Sequence, residues 1–115
     1  MANLTIAVPD ELISAVGHDF VEDVLAYKSH ELLVLLKKQA DYGPDNIARC
    51  PIGPINGLIV RLFDKLSRLT HLSTSDRSPE HETLADTGLD IANYGTIVSM
   101  VLTGHWPHLP SAGLK

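Results

Sequence analysis

The stretch from residue 82 to residue 103 constrains the fold of this chain more than any other. At 100° per residue, Glu82, Asp86, Asp90 and Asn93 fall within one narrow sector of a helix and form a polar face three turns long. A row of carboxylates that faces the protein interior is costly unless a cation or a hydrogen-bond donor satisfies it. The pattern therefore predicts a long helix with a candidate binding site on one side.

A second side of the same predicted helix carries only small residues. They are Ala85, Gly88, Ala92, Gly95, Thr96, Ser99 and Thr103. A glycine inside a helix costs about 1 kcal/mol relative to alanine, so two glycines on one stripe need a structural reason. We expect another backbone to pack very close to this small-residue stripe.

Two further long helices are predicted earlier in the chain. Apolar residues recur at intervals of three and four over residues 18–41 and again over residues 57–72, whereas the final helix is expected over residues 80–103. Between the first two lies a loop rich in proline and glycine that also carries isoleucines, and we expect it to be ordered. Residues 1–8 alternate as a short strand does. The chain is therefore predicted to be an all-α bundle of three main helices.

Length and composition limit the possible functions. A chain of 115 residues is expected to form one domain, residues 1–115, and its net charge of −5 argues against a surface for duplex nucleic acid. No apolar run approaches the ~20 residues that span a bilayer. The single cysteine, Cys50, fits a reducing compartment. These features predict a cytoplasmic protein that does not enter a membrane.

The acidic row has two interpretations. Three carboxylates one turn apart, Glu82, Asp86 and Asp90, provide the oxygen ligands that Mg²⁺ prefers, together with groups from a facing helix. Alternatively they form a solvated acidic face near a helix N-terminus, where the helix dipole favours negative charge. Ile97 and Met100 continue the same sector, which favours a face that is at least partly buried.

A basic face is predicted on the middle helix. Arg61, Lys65 and Arg68 share one side, where they could neutralise the phosphates of a nucleotide while Asp64 reaches toward a metal ion. The alternative is a ladder of surface salt bridges, which contributes little to stability.

A third candidate lies at the end of the first long helix, in the sequence Lys38-x-x-Asp41-Tyr42-Gly43. Asp41 and Tyr42 could line a ligand pocket, with Tyr42 stacking on a base, or they could simply end the helix before Gly43.

These motifs in order resemble the nucleotide modification associated domain of type 1, a family of phages and bacteria. The resemblance covers roughly residues 37–101 and rests on a fairly specific ordered set of motifs. The set is Asp41-Tyr42-Gly43, Asn46, Arg61-x-x-Asp64-Lys65-x-x-Arg68-Leu69, Glu82 and Asp86-Thr87-x-x-Asp90-x-Ala92-Asn93-Tyr94. The helix pair is also distantly similar to the all-α nucleoside triphosphate pyrophosphatases of the MazG and dimeric dUTPase type.

The resemblance implies a Mg²⁺-dependent nucleoside triphosphate pyrophosphohydrolase, with Mn²⁺ as a substitute ion. Its expected catalytic residues are Asp64, Asp86 and Asp90, with Glu82 as a further metal ligand. The residues expected to contact the nucleotide are Asp41, Tyr42, Arg61, Lys65, Arg68 and Asn93. This chain departs from the MazG pattern of two glutamate-rich motifs, although Glu31 could complete the carboxylate set.

Two alternatives follow from the same residues. The first is a non-catalytic nucleotide binder, either a phage sponge for a nucleotide signal or an accessory to DNA base modification. The second is a purely structural helical oligomer. In each case three helices of unequal length bury an acidic stripe poorly, so we expect a homo-oligomer, in the host cytoplasm if a phage encodes the chain.

Overall fold

The computed structural model describes residues 1–76 and 83–110, and every regular element within these ranges is a helix. The four helices are α1 (Asp10–Val16), α2 (His18–Tyr42), α3 (Pro54–Ser73) and α4 (Leu84–Leu102). The all-α prediction is confirmed. The structure has four helices in the described ranges where three were predicted, and the predicted ranges overlap α2, α3 and α4. The strand suggested for residues 1–8 was wrong, because no strand is formed there.

Glycine and proline set the helix boundaries. Gly17, with φ of 94°, separates α1 from α2, and Gly43, with φ of 85°, follows the last residue of α2. Helix α3 begins at Pro54, three residues earlier than predicted. Proline suits this first position because its missing N–H would have had no partner inside the helix and its φ is already helical.

A capping box begins α4. The Thr83 hydroxyl accepts a hydrogen bond from the backbone N–H of Asp86, and the Asp86 carboxylate accepts one from the backbone N–H of Thr83. Two donors that the helix itself leaves unpaired are thereby satisfied. The part of the predicted helix before Thr83, residues 80–82, lies outside the described residues.

Each helix contacts only some of the others. Helices α3 and α4 pack along each other, α4 also meets α2, and α2 holds α1, whereas α2 and α3 do not contact each other in the described chain. The buried core residues are Ile47, Ala48, Leu58, Ile97, Val101 and Trp106. None of them belongs to α1 or α2, so the core lies between α3, α4, the loop before α3 and the segment after α4.

The loop between α2 and α3 is fixed against both neighbours. It buries Ile47 and Ala48, and its Asp45 carboxylate lies 2.7 Å from Nδ1 of His108 in the segment after α4. At the start of α3, a Cβ placed on Gly57 would lie 2.6 Å from Sγ of Cys50, so only glycine allows the loop to approach this closely. The loop is therefore ordered, as its isoleucines predicted.

The small-residue stripe of α4 does not make the close contact expected of it within this chain. Gly88 and Gly95 are exposed, and a Cβ built on either one would meet nothing within 4 Å. A glycine in close contact is found instead at Gly57, where the Cys50 side chain approaches. The expectation was wrong for the described chain because α3 and α2 pack on the other sides of α4.

Candidate functional site

A cleft of about 200 Å³ lies between α2 and α4. The loop after α2, one residue of α3 and the segment after α4 complete its walls. The lining residues are Leu35, Lys38, Gln39, Tyr42, Asn46, Ile47, Arg61, Asp90, Asn93, Tyr94, Ile97 and Trp106.

Helical spacing explains why α2 and α4 face the cleft with these residues. From α2 come Leu35, Lys38, Gln39 and Tyr42, and from α4 come Asp90, Asn93, Tyr94 and Ile97. Both sets follow the positions i, i+3, i+4 and i+7, which lie on one side of a helix. Each helix thus presents two turns of mixed polar and apolar side chains to the same space.

Asp90 lies between two lysines from different helices. Its Oδ1 is 3.0 Å from Nζ of Lys38 on α2, and its Oδ2 is 2.8 Å from Nζ of Lys65 on α3. The Asp90 side chain is only 12% exposed, so water screens these ion pairs less than it screens surface pairs. One carboxylate therefore links all three long helices.

The charge state of Asp90 follows from its surroundings. Partial burial would raise the pKa of this carboxyl, but hydrogen bonds from Lys65 and Lys38, together with their positive charges, outweigh burial and lower the pKa below its usual value. Asp90 is thus an anion at neutral pH, and both of its oxygens already have cationic partners.

Asn93 fixes α4 against α2. This residue is buried, and its Nδ2 donates a hydrogen bond of 3.0 Å to the backbone carbonyl oxygen of Glu31. The Glu31 carboxylate itself lies 3.3 Å from Nζ of Lys28, its neighbour on α2. The structure therefore gives Glu31 a backbone role at the helix crossing and directs its side chain to Lys28.

Arg61 is the cation of the cleft that has no partner among the described residues. It is half-buried on α3, and it makes no hydrogen bond or ion pair with any described residue. Trp106 supplies another unpaired group, because its indole N–H is buried and has no acceptor among the described residues. An unpaired buried donor costs about 1–3 kcal/mol. The cleft thus offers a free guanidinium close to aromatic surface.

The structure gathers some of the predicted site residues and separates others. Tyr42, Arg61, Asp90 and Asn93 line the one cleft, and Lys65 adjoins it through Asp90. The other predicted residues do not line it: Asp41, Asp64, Arg68 and Asp86. Glu82 lies outside the described residues.

The described carboxylates do not fit a shared Mg²⁺ site. Both oxygens of Asp90 are taken by lysines, Asp86 caps its own helix, and Asp64 is exposed on α3. Within the described ranges, the side chains close enough to share an ion are those of His18, Asp19 and Glu22, which are exposed at the start of α2. Exposed acidic groups of this kind are common on proteins without a metal, and nothing in the sequence pattern had indicated this group.

Eight of the twelve lining residues were not among the predicted site residues, and Lys38 and Trp106 are two of these eight. Lys38 was noted only as part of the motif at the end of α2, although its spacing from Leu35 and Tyr42 places all three on one side of the helix. Trp106 follows the last predicted helix, residues 80–103, and no role was predicted for it. As the single tryptophan of a chain poor in aromatic residues, it was a signal for a buried position.

Comparison of this chain with known protein families, with curated proteins and with solved structures finds no match. The resemblance to the nucleotide modification associated domain therefore rests on the motifs quoted above. Of the helices in the described part of the chain, none is both long enough and apolar enough to cross a membrane.

Proposed function

We propose that this protein binds a nucleotide in the cleft between α2 and α4 without requiring a metal ion. The observation that carries the proposal is Arg61, a half-buried guanidinium that has no partner among the described residues and lies in a cleft with aromatic walls. Arginine binds phosphate oxygens through two parallel hydrogen bonds, and its planar group also stacks on aromatic rings.

The charges of the cleft suit an anionic ligand. Lys38 and Arg61 line it together with one carboxylate, Asp90, which leaves a formal charge of +1 in a chain whose net charge is −5. Lys65 adds a further cation on the other side of Asp90. In this proposal Asp90 holds the two lysines in place, and Arg61 receives the phosphate.

The remaining walls suit a base or a sugar. Tyr42, Tyr94 and Trp106 offer ring surfaces, and Asn46 and Asn93 offer amide groups. Clefts that enclose a whole small ligand measure about 300–1,000 Å³, so a cleft of about 200 Å³ holds one end of a nucleotide and leaves the other end exposed.

The arrangement favours a binder over the Mg²⁺-dependent pyrophosphohydrolase that the resemblance implies. That reaction needs several carboxylates around one ion, so that the metal polarises the phosphate. Asp64, Asp86 and Asp90 have separate surroundings here, and two of them already have partners of their own. A binder acts by sequestering its nucleotide or by presenting it to another protein. We place it in the cytoplasm and as a homo-oligomer, as the sequence predicts.

The test uses Trp106, because the single tryptophan lines the cleft and its fluorescence reports a ligand there. Ribonucleotides and deoxyribonucleotides are titrated in a chelator and again in Mg²⁺, and the mixtures are then analysed for nucleoside monophosphate and pyrophosphate. The proposal predicts a saturable fluorescence change in the chelator with no product in either buffer. Turnover that needs Mg²⁺ would instead establish the hydrolase, and no fluorescence change with any nucleotide would refute nucleotide binding in this cleft.

A further inference from the structure

We infer that the cleft between α2 and α4 selects nucleotides with a single phosphate group, and that the Asp90 carboxylate disfavours diphosphates and triphosphates there. This names the class of ligand for the cleft, and it rests on the proposed function, in which the cleft binds a nucleotide without a metal ion.

One of the cations at the cleft lacks a partner among the described residues. Lys38 and Arg61 are the cations that line the cleft, and Lys65 adjoins it. Nζ of Lys38 lies 3.0 Å from Oδ1 of Asp90, and Nζ of Lys65 lies 2.8 Å from Oδ2. Arg61 makes no ion pair or hydrogen bond with a described residue. Because a guanidinium binds one phosphate group through two parallel hydrogen bonds, the cation that remains matches one phosphate.

The Asp90 carboxylate makes additional phosphates unfavourable. It lines the same cleft as Arg61, and its side chain is only 12% exposed, so water screens its negative charge less than that of a surface carboxylate. A second or third phosphate would share the cleft with this anion, and it could reach Lys38 only in competition with the existing ion pair. Like charges brought together in this way weaken binding.

The end of α2 that lines the cleft has the wrong polarity for a chain of phosphates. Gln39 and Tyr42 belong to the last turn of α2, which ends at Tyr42. The C-terminus of a helix carries a partial negative charge, because its last carbonyl groups have no partner within the helix. Phosphate chains are commonly bound at the opposite end, where backbone N–H groups face the ligand. Among the described helices, none lines the cleft with its first turn.

The other lining residues carry no charge that would offset additional phosphates. Tyr42, Tyr94 and Trp106 offer ring surfaces, and Asn46 offers an amide. Asp90 is the carboxylate among the lining residues, and lysines take both of its oxygens, so it is not available to hold a metal ion beside a triphosphate. The walls therefore suit a base and a sugar, with one phosphate on Arg61.

The test measures the affinity of the wild-type protein for each common nucleoside and for its monophosphate, diphosphate and triphosphate, by calorimetry in a chelator. For the base that binds best, the monophosphate should bind at least about tenfold more tightly than the nucleoside, because it adds a charge-assisted contact. The triphosphate should bind at least about threefold more weakly than the monophosphate, because it adds like charge near Asp90. Inorganic phosphate should bind more weakly than the monophosphate, because it brings no base or sugar.

Asp90→Asn tests the cause of the discrimination. This change removes the anion and leaves Lys38 and Lys65 without it, so the triphosphate should gain at least about threefold relative to the monophosphate. The control is Asp23→Asn, which removes an exposed aspartate of α2 outside the cleft and should keep the wild-type ratio.

The wild-type series decides the ligand class without depending on whether a variant folds. A triphosphate that binds as tightly as the monophosphate, or more tightly, would overturn the single-phosphate class while leaving nucleotide binding intact. A nucleoside or inorganic phosphate that binds as tightly as the monophosphate would overturn it too, and so would an unchanged ratio in a folded Asp90→Asn variant. If no nucleotide binds, the proposed function fails and this inference fails with it.

Discussion

At the scale of single residues, Asp90 connects more of the molecule than any other side chain of the cleft. It joins Lys38 on α2 to Lys65 on α3 across α4. Asp90→Asn keeps the size of the side chain but removes its charge, and we expect a loss of about 1–2 kcal/mol in the free energy of unfolding. Urea denaturation measures this loss. The matched control is Asp64→Asn, an exposed aspartate whose replacement should change stability by less than about 0.5 kcal/mol.

Wild type and Asp90→Asn should also differ in how their free energy of unfolding changes at acid pH. Because the folded-state pKa of Asp90 is lowered, the group contributes stability above its unfolded pKa of about 3.9, and this contribution is lost as the pH falls through the folded pKa. Wild type should therefore lose stability more steeply than Asp90→Asn below about pH 4. Parallel stability curves for the two proteins would contradict this account of Asp90.

Replacing Asp86 distinguishes a role in capping α4 from a role in binding a metal ion. Its carboxylate accepts a hydrogen bond from the backbone N–H of Thr83 at the start of α4. Asp86→Asn should therefore cost about 0.3–1 kcal/mol through the weakened cap and the helix dipole, and by the same amount with or without Mg²⁺. Thermal melts in chelator and in Mg²⁺ measure both quantities. A melting temperature that Mg²⁺ raises in wild type but not in the variant would show that Asp86 binds metal.

At the scale of elements, the contact between the α2–α3 loop and α3 depends on one glycine. Gly57→Ala places a methyl group 2.6 Å from Sγ of Cys50, so we expect a loss of about 1–3 kcal/mol by overpacking. Adding Cys50→Ala should restore most of this loss. The control is Gly95→Ala, where a methyl group meets nothing and helix propensity should add up to about 1 kcal/mol. Denaturant titration compares the four proteins, and equal losses at the two glycines would contradict the close contact.

Helix positions could be predicted from the sequence where local signals agree with packing. Gly43 marks the end of α2 because a left-handed residue ends the helix without help from the rest of the fold. The small residues of α4 misled the prediction, since a stripe such as Gly88 and Gly95 shows that a close neighbour is allowed but not that one is present. The burial of Trp106 depends on how the segment after α4 turns back, which no local pattern specifies.

The sequence predicted some of the residues that line the cleft but not the contacts that they make. Helical periodicity places Asp90 and Asn93 together, and the structure brings Tyr42 and Arg61 to the same cleft from elements far away in sequence. The ion pairs of Asp90 could not be foreseen, because they depend on the angle at which α2 crosses α4. In the structure Asp90, which was predicted to bind a metal ion, pairs with Lys38 and Lys65.

At the scale of the whole molecule, the cleft lies beside a helix, α2, that its own chain covers only in part. The long α2 contributes no buried residue of its own, yet it supplies four residues to the cleft walls. A ligand in the cleft would contact α2 and α4 at the same time, because both helices supply lining residues. We therefore expect nucleotide binding to stabilise the packing of α2 on α4.

Nucleotide binding by Arg61 is tested by the affinity of the wild-type protein and two arginine variants for one nucleotide, measured by calorimetry in a chelator. Arg61 lies in the cleft without a described partner, whereas Arg49 lies outside it, in the loop, and is paired at 3.8 Å with Asp45. We predict that Arg61→Ala weakens binding at least about tenfold, since a charge-assisted phosphate contact contributes about 1.5–3 kcal/mol, and that Arg49→Ala binds as wild type does. Equal affinities for wild type and Arg61→Ala would contradict the claim that this cleft binds the phosphate of a nucleotide.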